Sequence, residues 1–250
     1  MWTHVADLRD FYGSSLGQVA RRLIRNRVRE LWPDVTGERV MGFGYAVPYL
    51  RPFTGEAERV IAFMPASQGV VHWPRDGDGE TALTEDVEFP LPDLSIDRVL
   101  LVHALEQSEQ IRVLLREVWR VLTDSGRLMV VVPNRTGVWA RLESTPFGHG
   151  QPYSRAQLRE LLRDNMFMPE QQSRALYVPP VRYRMALKAA PALERIGHRW
   201  CPRLGGVNVV VATKQIYAAG IPERTEPVRA RRRVYAPISE PEPRVPRRSR

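Results

Sequence analysis

The segment from Glu85 to Asn134 constrains the fold more than any other part of the chain. A short apolar strand is predicted over Asp97–Val102 and a second one over Arg127–Val132. Between them, apolar residues recur at helical spacing at Ile111, Leu114, Leu115, Val118, Val121 and Leu122. The turn after this helix contains Gly126, which we expect to adopt the left-handed conformation of a helix cap. This succession of strand, helix and strand predicts a parallel β-α-β unit.

Segments of similar character lie on both sides of this unit. An apolar stretch within Glu38–Leu50 leads into a turn that contains Gly42 and Gly44, and a further strand is predicted over Arg59–Phe63. A last buried strand is predicted over Val207–Tyr217. Strands that alternate with helical segments favour an α/β fold with a doubly wound sheet over an all-helical bundle or a β-sandwich.

Helices are also predicted near the two ends of the chain. Apolar residues fall at helical spacing from Leu16 to Leu31, and Pro33 ends this amphipathic helix. Another helical stretch, from Arg182 to Trp200, is expected to be kinked or divided at Pro191. We expect three regions, namely an N-terminal helical extension over residues 1–35, a folded domain over residues 36–219 and a basic tail over residues 220–250.

The net charge of +9 is concentrated in the tail. From Ile221 to Arg250 the chain has nine arginines and four glutamates, together with many prolines and few large apolar residues. Such a segment cannot bury enough surface to offset the entropy of ordering it, so the tail is predicted to be disordered. It is either solvated without a partner, which the composition favours, or it contacts phosphates of RNA or another anionic surface.

Several classes of protein are disfavoured by what the sequence lacks. Its longest apolar runs are well short of the roughly 18 residues of a membrane-spanning helix. Asp7 and Asp10 stand where a secretory signal would be basic and apolar, so a cytoplasmic location is expected. The single cysteine, Cys201, is expected to be a buried or partly buried thiol. Signatures of zinc proteases, P-loop ATPases and serine hydrolases are absent, and we predict no metal site.

The loop after the β-α-β unit contains candidates for substrate contact. Loops at the carboxyl edge of a parallel sheet bind the ligands of such folds. Within the polar, glycine-rich segment Asn134–Asn165, His149 and Tyr153 are the candidates for substrate contact or for a general base. The alternative is that both form hydrogen bonds that only anchor the loop. Ser154 is predicted to cap the helix that follows.

Two stretches of the central segment carry a family resemblance. The first is FPLPDLSIDRVLLVHALEQ, with an aspartate at the start of its strand and a His-x-Leu-Glu-like end. The second is LREVWRVLTDSGRLMVVVPN, which contains the helix, the glycine turn and the strand after it. Together they resemble the class I S-adenosylmethionine-dependent methyltransferases, in particular the type 11 group. The resemblance covers Glu38–Pro133 and implies a Rossmann-like, mostly parallel seven-stranded sheet with helices on both faces.

The resemblance also implies S-adenosylmethionine as the cofactor and indicates which residues lie beside it. They are Gly42, Phe43, Gly44, Tyr45 and Ala46 after the first strand, Met64 at the end of the second, Glu85 or Asp86 near the adenine, and His103 at the end of the fourth strand beside the methionine part. For His103, a purely structural role at the strand end is the alternative.

Two positions depart from the family pattern. The family usually has an acidic residue two positions before the first glycine and another at the end of the second strand, and this chain has Val40 and Met64 there. Each lost charge-assisted hydrogen bond costs about 1.5–3 kcal/mol of affinity. The sequence therefore supports two hypotheses. The chain is either an active methyltransferase with an unidentified acceptor, or a degenerate methyltransferase fold that serves as a binding or regulatory module and contacts RNA through its tail.

Overall fold

The computed structural model describes residues 4–216 apart from residues 75, 77 and 182. The strands are β1 (Arg39–Gly44), β2 (Arg59–Pro65), β3 (Thr81–Thr84), β4 (Ile96–Val102), β5 (Leu122–Pro133), β6 (Phe167–Ala175) and β7 (Val207–Lys214). The helices are α1 (Val5–Gly13), α2 (Ser15–Leu31), α3 (Val47–Leu50), α4 (Ile111–Val121), α5 (Arg155–Asp164), α6 (Arg184–Lys188) and α7 (Ala190–Trp200). None of the helices in the described part of the chain is long and apolar enough to cross a membrane.

The strands form a single seven-stranded sheet in the order β3-β2-β1-β4-β5-β7-β6. Strands β1 to β5 are parallel, and β7 runs antiparallel to both β5 and β6. The mostly parallel, doubly wound sheet predicted from the sequence is therefore confirmed. The chain leaves β1 for β2 on one side and later places β4 on the other side of β1. The carboxyl ends of β1 and β4 thus flank the point where the strand order reverses, which is where ligands bind in folds of this kind.

Side chains of each buried strand alternate between two apolar clusters, one on each face of the sheet. In β4, Leu100 and Val102 pack with α1, α2 and α3, whereas Val99 and Leu101 pack with α4 and α5. Helix α4 packs on the sheet through Leu114, Leu115, Val118 and Val121, all fully buried. Burying each of these side chains contributes about 1.5–3 kcal/mol. The apolar face of α4 is therefore strongly favoured to pack on the sheet, as its helical periodicity predicts.

The helix boundaries follow local signals in the sequence. Ser154 accepts a hydrogen bond from the backbone N–H of Gln157, whose side chain accepts one from the N–H of Ser154, and this capping box begins α5. Helix α2 ends before Trp32 and Pro33. The predicted helical stretch near the end of the domain is divided at Ala189, and Pro191 lies in the first turn of α7.

Two local expectations are wrong, and one segment lies outside the described residues. Gly126 is not in the left-handed region, and the residues predicted as a turn around it belong to β5. A side-chain carbon at Gly126 would instead lie 2.8 Å from the carbonyl oxygen of Thr123, so close packing explains the glycine. Cys201 is exposed because it follows α7, whose later residues face the solvent. The tail over residues 220–250 lies outside the described residues, and the proposed region boundaries stay predictions.

Candidate functional site

The turn after β1 packs directly against the end of β4. Gly44 pairs with Val102, and the N–H of Tyr45 donates a hydrogen bond of 2.8 Å to the carbonyl oxygen of Val102. Gly44 has a φ of 82°, and a side-chain carbon there would lie 2.3 Å from the same carbonyl oxygen. Glycine is therefore required at this position by the approach of β4, independently of any ligand.

His103 follows β4 immediately and has an unusual backbone conformation. Its φ is 51°, in the left-handed region that non-glycine residues rarely adopt. Its carbonyl oxygen accepts a hydrogen bond of 2.7 Å from Nε2 of Gln68, and its side chain is almost completely buried. Strained residues of this kind tend to cluster at functional sites, where the surrounding structure compensates for the strain.

Both ring nitrogens of His103 have hydrogen-bond partners. Nδ1 lies 3.1 Å from Oε1 of Glu106, and Nε2 lies 2.7 Å from the hydroxyl oxygen of Tyr12. The hydroxyl of Tyr49 donates to the hydroxyl oxygen of Tyr12 over 2.8 Å. One arrangement of protons fits these contacts. The hydroxyl of Tyr12 donates to Nε2 of His103, and Nδ1–H of His103 donates to the carboxylate of Glu106. We call these four residues the polar chain.

Helix α1 contains Tyr12 and positions it in the polar chain. Leu8, Phe11 and Tyr12 lie on one face of α1 and are its buried residues. The ring of Tyr12 stacks on that of Tyr45, with centroids 5.4 Å apart and planes inclined by 14°. The ring of Phe11 meets Tyr12 edge-on at 5.1 Å. Since Tyr12 is only 3% exposed, it fills the space above the turn that follows β1.

The loop after β5 closes the site from the other side. The ring centroid of Phe147 lies 5.0 Å from that of His103. The N–H of Gln151 donates a hydrogen bond of 2.8 Å to the carbonyl oxygen of Glu106. Gly150 has a φ of 74°, and a side-chain carbon there would lie 2.3 Å from that same oxygen. The loop is therefore fixed by direct contact with the residues that surround His103.

Several buried polar atoms beside the polar chain lack a hydrogen-bond partner among the described residues. They are Oε2 of Glu106, the hydroxyl of Tyr153 and Nε2 of Gln107. Burial, together with the nearby charge of Glu106, raises the pKa of Tyr153 to about 12. Burial also raises the pKa of Tyr12 well above its ordinary value, with Tyr49 acting in the same direction. Buried atoms of this kind are few in native proteins, and a polar ligand or an ordered water would complete their hydrogen bonds.

The structure places the residues predicted for the cofactor along one edge of the sheet, but not all of their side chains face the polar chain. The ring of Phe43 packs against Phe89 on the α4 face, with centroids 5.1 Å apart, so only its backbone lies at the turn. Met64 is fully buried among apolar side chains. Glu85, just after β3, is exposed, and Asp86 is half-buried.

The two candidates in the loop after β5 have different surroundings. Nε2 of His149 lies 2.7 Å from the carbonyl oxygen of Glu143, within its own loop, which fits the anchoring alternative. Tyr153 is 6% exposed and lies close to Glu106. Tyr153 therefore stays a candidate for ligand contact, and the role of His149 in catalysis stays a prediction.

Sequence reasoning missed three residues of the site: Tyr12, Tyr49 and Glu106. Glu106 stands three positions after His103, a spacing that lets the two side chains meet in a turn, and this signal was present. No local pattern indicates that Tyr12 meets His103, because the two are 91 positions apart in the chain.

Residues 41–130 match a protein-family model described as a methyltransferase domain. A solved S-adenosylmethionine-dependent methyltransferase from Thermotoga maritima superposes with a TM-score of 0.58 at 16% identity, covering 84% of this chain and 96% of that one. A methyltransferase from Archaeoglobus fulgidus gives 0.54 at 17% identity, covering 78% and 94%. The cyclase SpnF gives 0.54 at 20% identity, covering 80% and 83%. No curated protein matches the sequence.

Proposed function

We propose that the chain is an active methyltransferase, because residues 41–130 match the model of a methyltransferase domain and the fold is similar to that of a solved S-adenosylmethionine-dependent methyltransferase. The observation that carries this proposal is the polar chain at the point where the strand order reverses. A buried, hydrogen-bonded histidine and carboxylate lie at this position, which is where such folds bind their ligands.

We propose that the polar end of the cofactor binds at this edge. In the proposal, the backbone from Gly42 to Ala46 approaches the ligand, and Glu106 and Tyr153 bind its polar groups through the atoms that lack partners. Val40 provides no acceptor for the methionine end and Met64 provides none for the ribose hydroxyls, so the affinity is reduced. Glu85 and Asp86 stay candidates for the adenine end.

The chemistry divides between the cofactor and the chain. When it is bound, S-adenosylmethionine supplies an already activated methyl group, so the protein mainly has to position the acceptor. The buried rings of Tyr45, Tyr49 and Phe147 exclude water from the site. His103, oriented by Glu106, accepts a proton from the acceptor at Nε2. We propose that this occurs in the cytoplasm.

Calorimetric titration with S-adenosylhomocysteine tests the proposal. We expect binding with a dissociation constant below about 1 mM, weakened by Glu106→Gln. Glu160→Gln, an exposed site on α5, is the matched control and should leave the affinity unchanged. If the wild-type chain produces no heat of binding at about 1 mM ligand, the enzyme hypothesis is wrong.

The second candidate is a degenerate fold that acts as a binding or regulatory module. The complete burial of Val40 and Met64 in the apolar cluster favours it, because these positions serve the core and offer no bond to a cofactor. The likeness to a cyclase agrees with the general rule that a fold does not determine its chemistry. If the tail recruits RNA, removing residues 221–250 abolishes salt-sensitive RNA retention, and unchanged retention contradicts that role.

A further inference from the structure

The side chain of Tyr12 is bound within the site as a ligand would be. Its ring stacks on Tyr45, and its hydroxyl lies 2.7 Å from Nε2 of His103. Tyr12 comes from α1, whereas His103 follows β4, Tyr45 lies in the turn after β1 and Tyr49 lies in α3. The contacts around Tyr12 therefore form a pocket complementary to a phenol.

The hydrogen bonds specify which kind of atom the pocket accepts. The oxygen of Tyr12 accepts a hydrogen from Tyr49 and is placed to donate its own to Nε2. A hydroxyl can do both, but an ammonium group can only donate. A thioether or a methyl group would leave both partners without a bond, at a cost in a buried site. The pocket thus favours a hydroxyl on a planar ring.

We infer that His103 and Glu106 form the general base for an aryl hydroxyl acceptor, and that Tyr12 occupies the acceptor's place until α1 moves away. The inference rests on the proposed function and adds the class of its substrate. In this inference the acceptor hydroxyl takes the place of the Tyr12 hydroxyl beside Nε2, which makes His103 the catalytic residue, and Glu106 is a positioning residue that acts through Nδ1.

The proton balance of the step is simple. The acceptor loses one proton and gains one methyl group, and Nε2 takes the proton as the oxygen–carbon bond forms. The electron pair of the broken sulfur–carbon bond stays on sulfur. Nδ1 keeps its own proton throughout and donates it in a hydrogen bond to the carboxylate of Glu106, so the imidazole carries one extra proton, on Nε2, until that proton passes to solvent.

For α1 to leave, the hydrogen bonds of Tyr12, the bond from the N–H of Val5 to the carbonyl oxygen of Gln68 and the packing of the buried face of α1 have to break. Its buried residues are Leu8, Phe11 and Tyr12, and no side chain caps its first residue. Gly13, at the junction with α2, is exposed and has no atom within 4 Å of a side-chain carbon placed there. A helix of nine residues is unstable on its own in water, so α1 depends on these contacts.

A cavity experiment on the full chain tests the pocket without any cofactor. Tyr12→Ala removes the ring and leaves Tyr45, Tyr49 and His103 in place. Calorimetry should show that p-cresol binds this variant about tenfold or more tightly than toluene, because only the cresol hydroxyl bonds to Nε2. Adding His103→Leu should remove the preference. The control is Phe89→Ala, whose cavity faces the rings of Phe43 and Phe63 and should show no such preference.

Equal binding of p-cresol and toluene by Tyr12→Ala would overturn the inference, as would a preference that survives His103→Leu. If Tyr12→Ala does not fold, Tyr12→Leu keeps apolar volume on α1, and the ¹⁵N resonance of Nε2 should still move with p-cresol and not with toluene. No movement with either compound contradicts the pocket. A cresol preference without any binding of S-adenosylhomocysteine would instead overturn the proposed function and the base role.

Discussion

The two edges of the parallel sheet use charged and polar residues in opposite ways. At the amino edge, Arg39 bonds to both carboxylate oxygens of Asp97, and Arg98 bonds to both oxygens of Glu38. At the carboxyl edge, Glu106 has a histidine as its partner, and its second oxygen has no partner among the described residues. The two ion pairs of the amino edge are bidentate and partly solvated, whereas the carboxylate of Glu106 at the carboxyl edge is buried and incompletely paired.

This difference separates structural from functional polar groups. Paired, partly solvated ions cost little to keep and stabilise a fold slightly. A buried carboxylate with an unpaired oxygen lowers stability, and such a group persists at a position where a ligand completes it. The contrast therefore supports a binding role for the carboxyl edge and a structural role for the amino edge. The following changes test it, from the largest expected effect to the smallest.

Met64→Asp should have the largest effect. It restores the acid that the family resemblance places at the end of β2, but Met64 is fully buried in an apolar cluster. An uncompensated buried charge should lower the free energy of unfolding by about 3–5 kcal/mol, measured by urea denaturation. The matched control is Val113→Asp in the exposed first turn of α4, which should change stability by less than about 0.5 kcal/mol. Unchanged stability of Met64→Asp would show that this position is built as a ligand site.

Paired tyrosine substitutions at the carboxyl edge should change stability in different directions. Tyr12→Phe leaves Nε2 of His103 and the hydroxyl of Tyr49 without a partner, so the free energy of unfolding should fall by about 1–3 kcal/mol. Tyr153→Phe removes a buried hydroxyl that has no partner among the described residues, so it should be neutral or stabilising by up to about 1 kcal/mol. A loss of stability in Tyr153→Phe as large as in Tyr12→Phe would contradict the incomplete pairing of this edge.

The sheet could be predicted from the sequence because its signals are local. Helix α4 and strands β4 and β5 each carry a period of apolar residues that their own segment reveals. Gly44 and Ser154 were recognised in the same way, as a turn and a cap. The prediction for Gly126 is wrong because a contact requires the glycine and its backbone angle does not. A side chain at this position would be too close to the carbonyl oxygen of Thr123.

The site could be predicted only in part because its geometry depends on distant contacts. His103 was identified from its place at the end of β4, but its partners on α1 and α3 were not. The bonds from Tyr12 to His103 and Tyr49 join segments that no sequence period connects. The sequence does not distinguish His149 from Tyr153, whereas the structure separates them by burial and by the bond of His149 to the carbonyl oxygen of Glu143.

High pH should weaken the carboxyl edge through its tyrosines. Burial raises the pKa of Tyr153 to about 12 from an ordinary value near 10. Between these values the unfolded chain loses this proton while the folded chain keeps it, so stability falls as pH rises, by about 1.4 kcal/mol per pH unit. Tyr153→Phe removes one group that titrates differently in the folded and unfolded chains. The free energy of unfolding, measured by urea denaturation, should therefore fall less steeply between about pH 10 and 12. An unchanged slope would show that the hydroxyl of Tyr153 is not desolvated.

Asp97→Asn should have the smallest effect and should act at the opposite end of the pH scale. Partial burial tends to raise the pKa of Asp97, but hydrogen bonds from Arg39 and Thr123 outweigh it and hold the pKa below its ordinary value. The stability that this carboxylate contributes is therefore present above about pH 4 and is lost as pH falls through the folded-state pKa. Because the pair is partly exposed, Asp97→Asn should cost at most about 1 kcal/mol at neutral pH, and less in high salt. Its acid unfolding curve should be correspondingly flatter than that of the wild type, while its affinity for S-adenosylhomocysteine stays unchanged. A weakened affinity would show that the two edges are coupled and would remove the distinction between them.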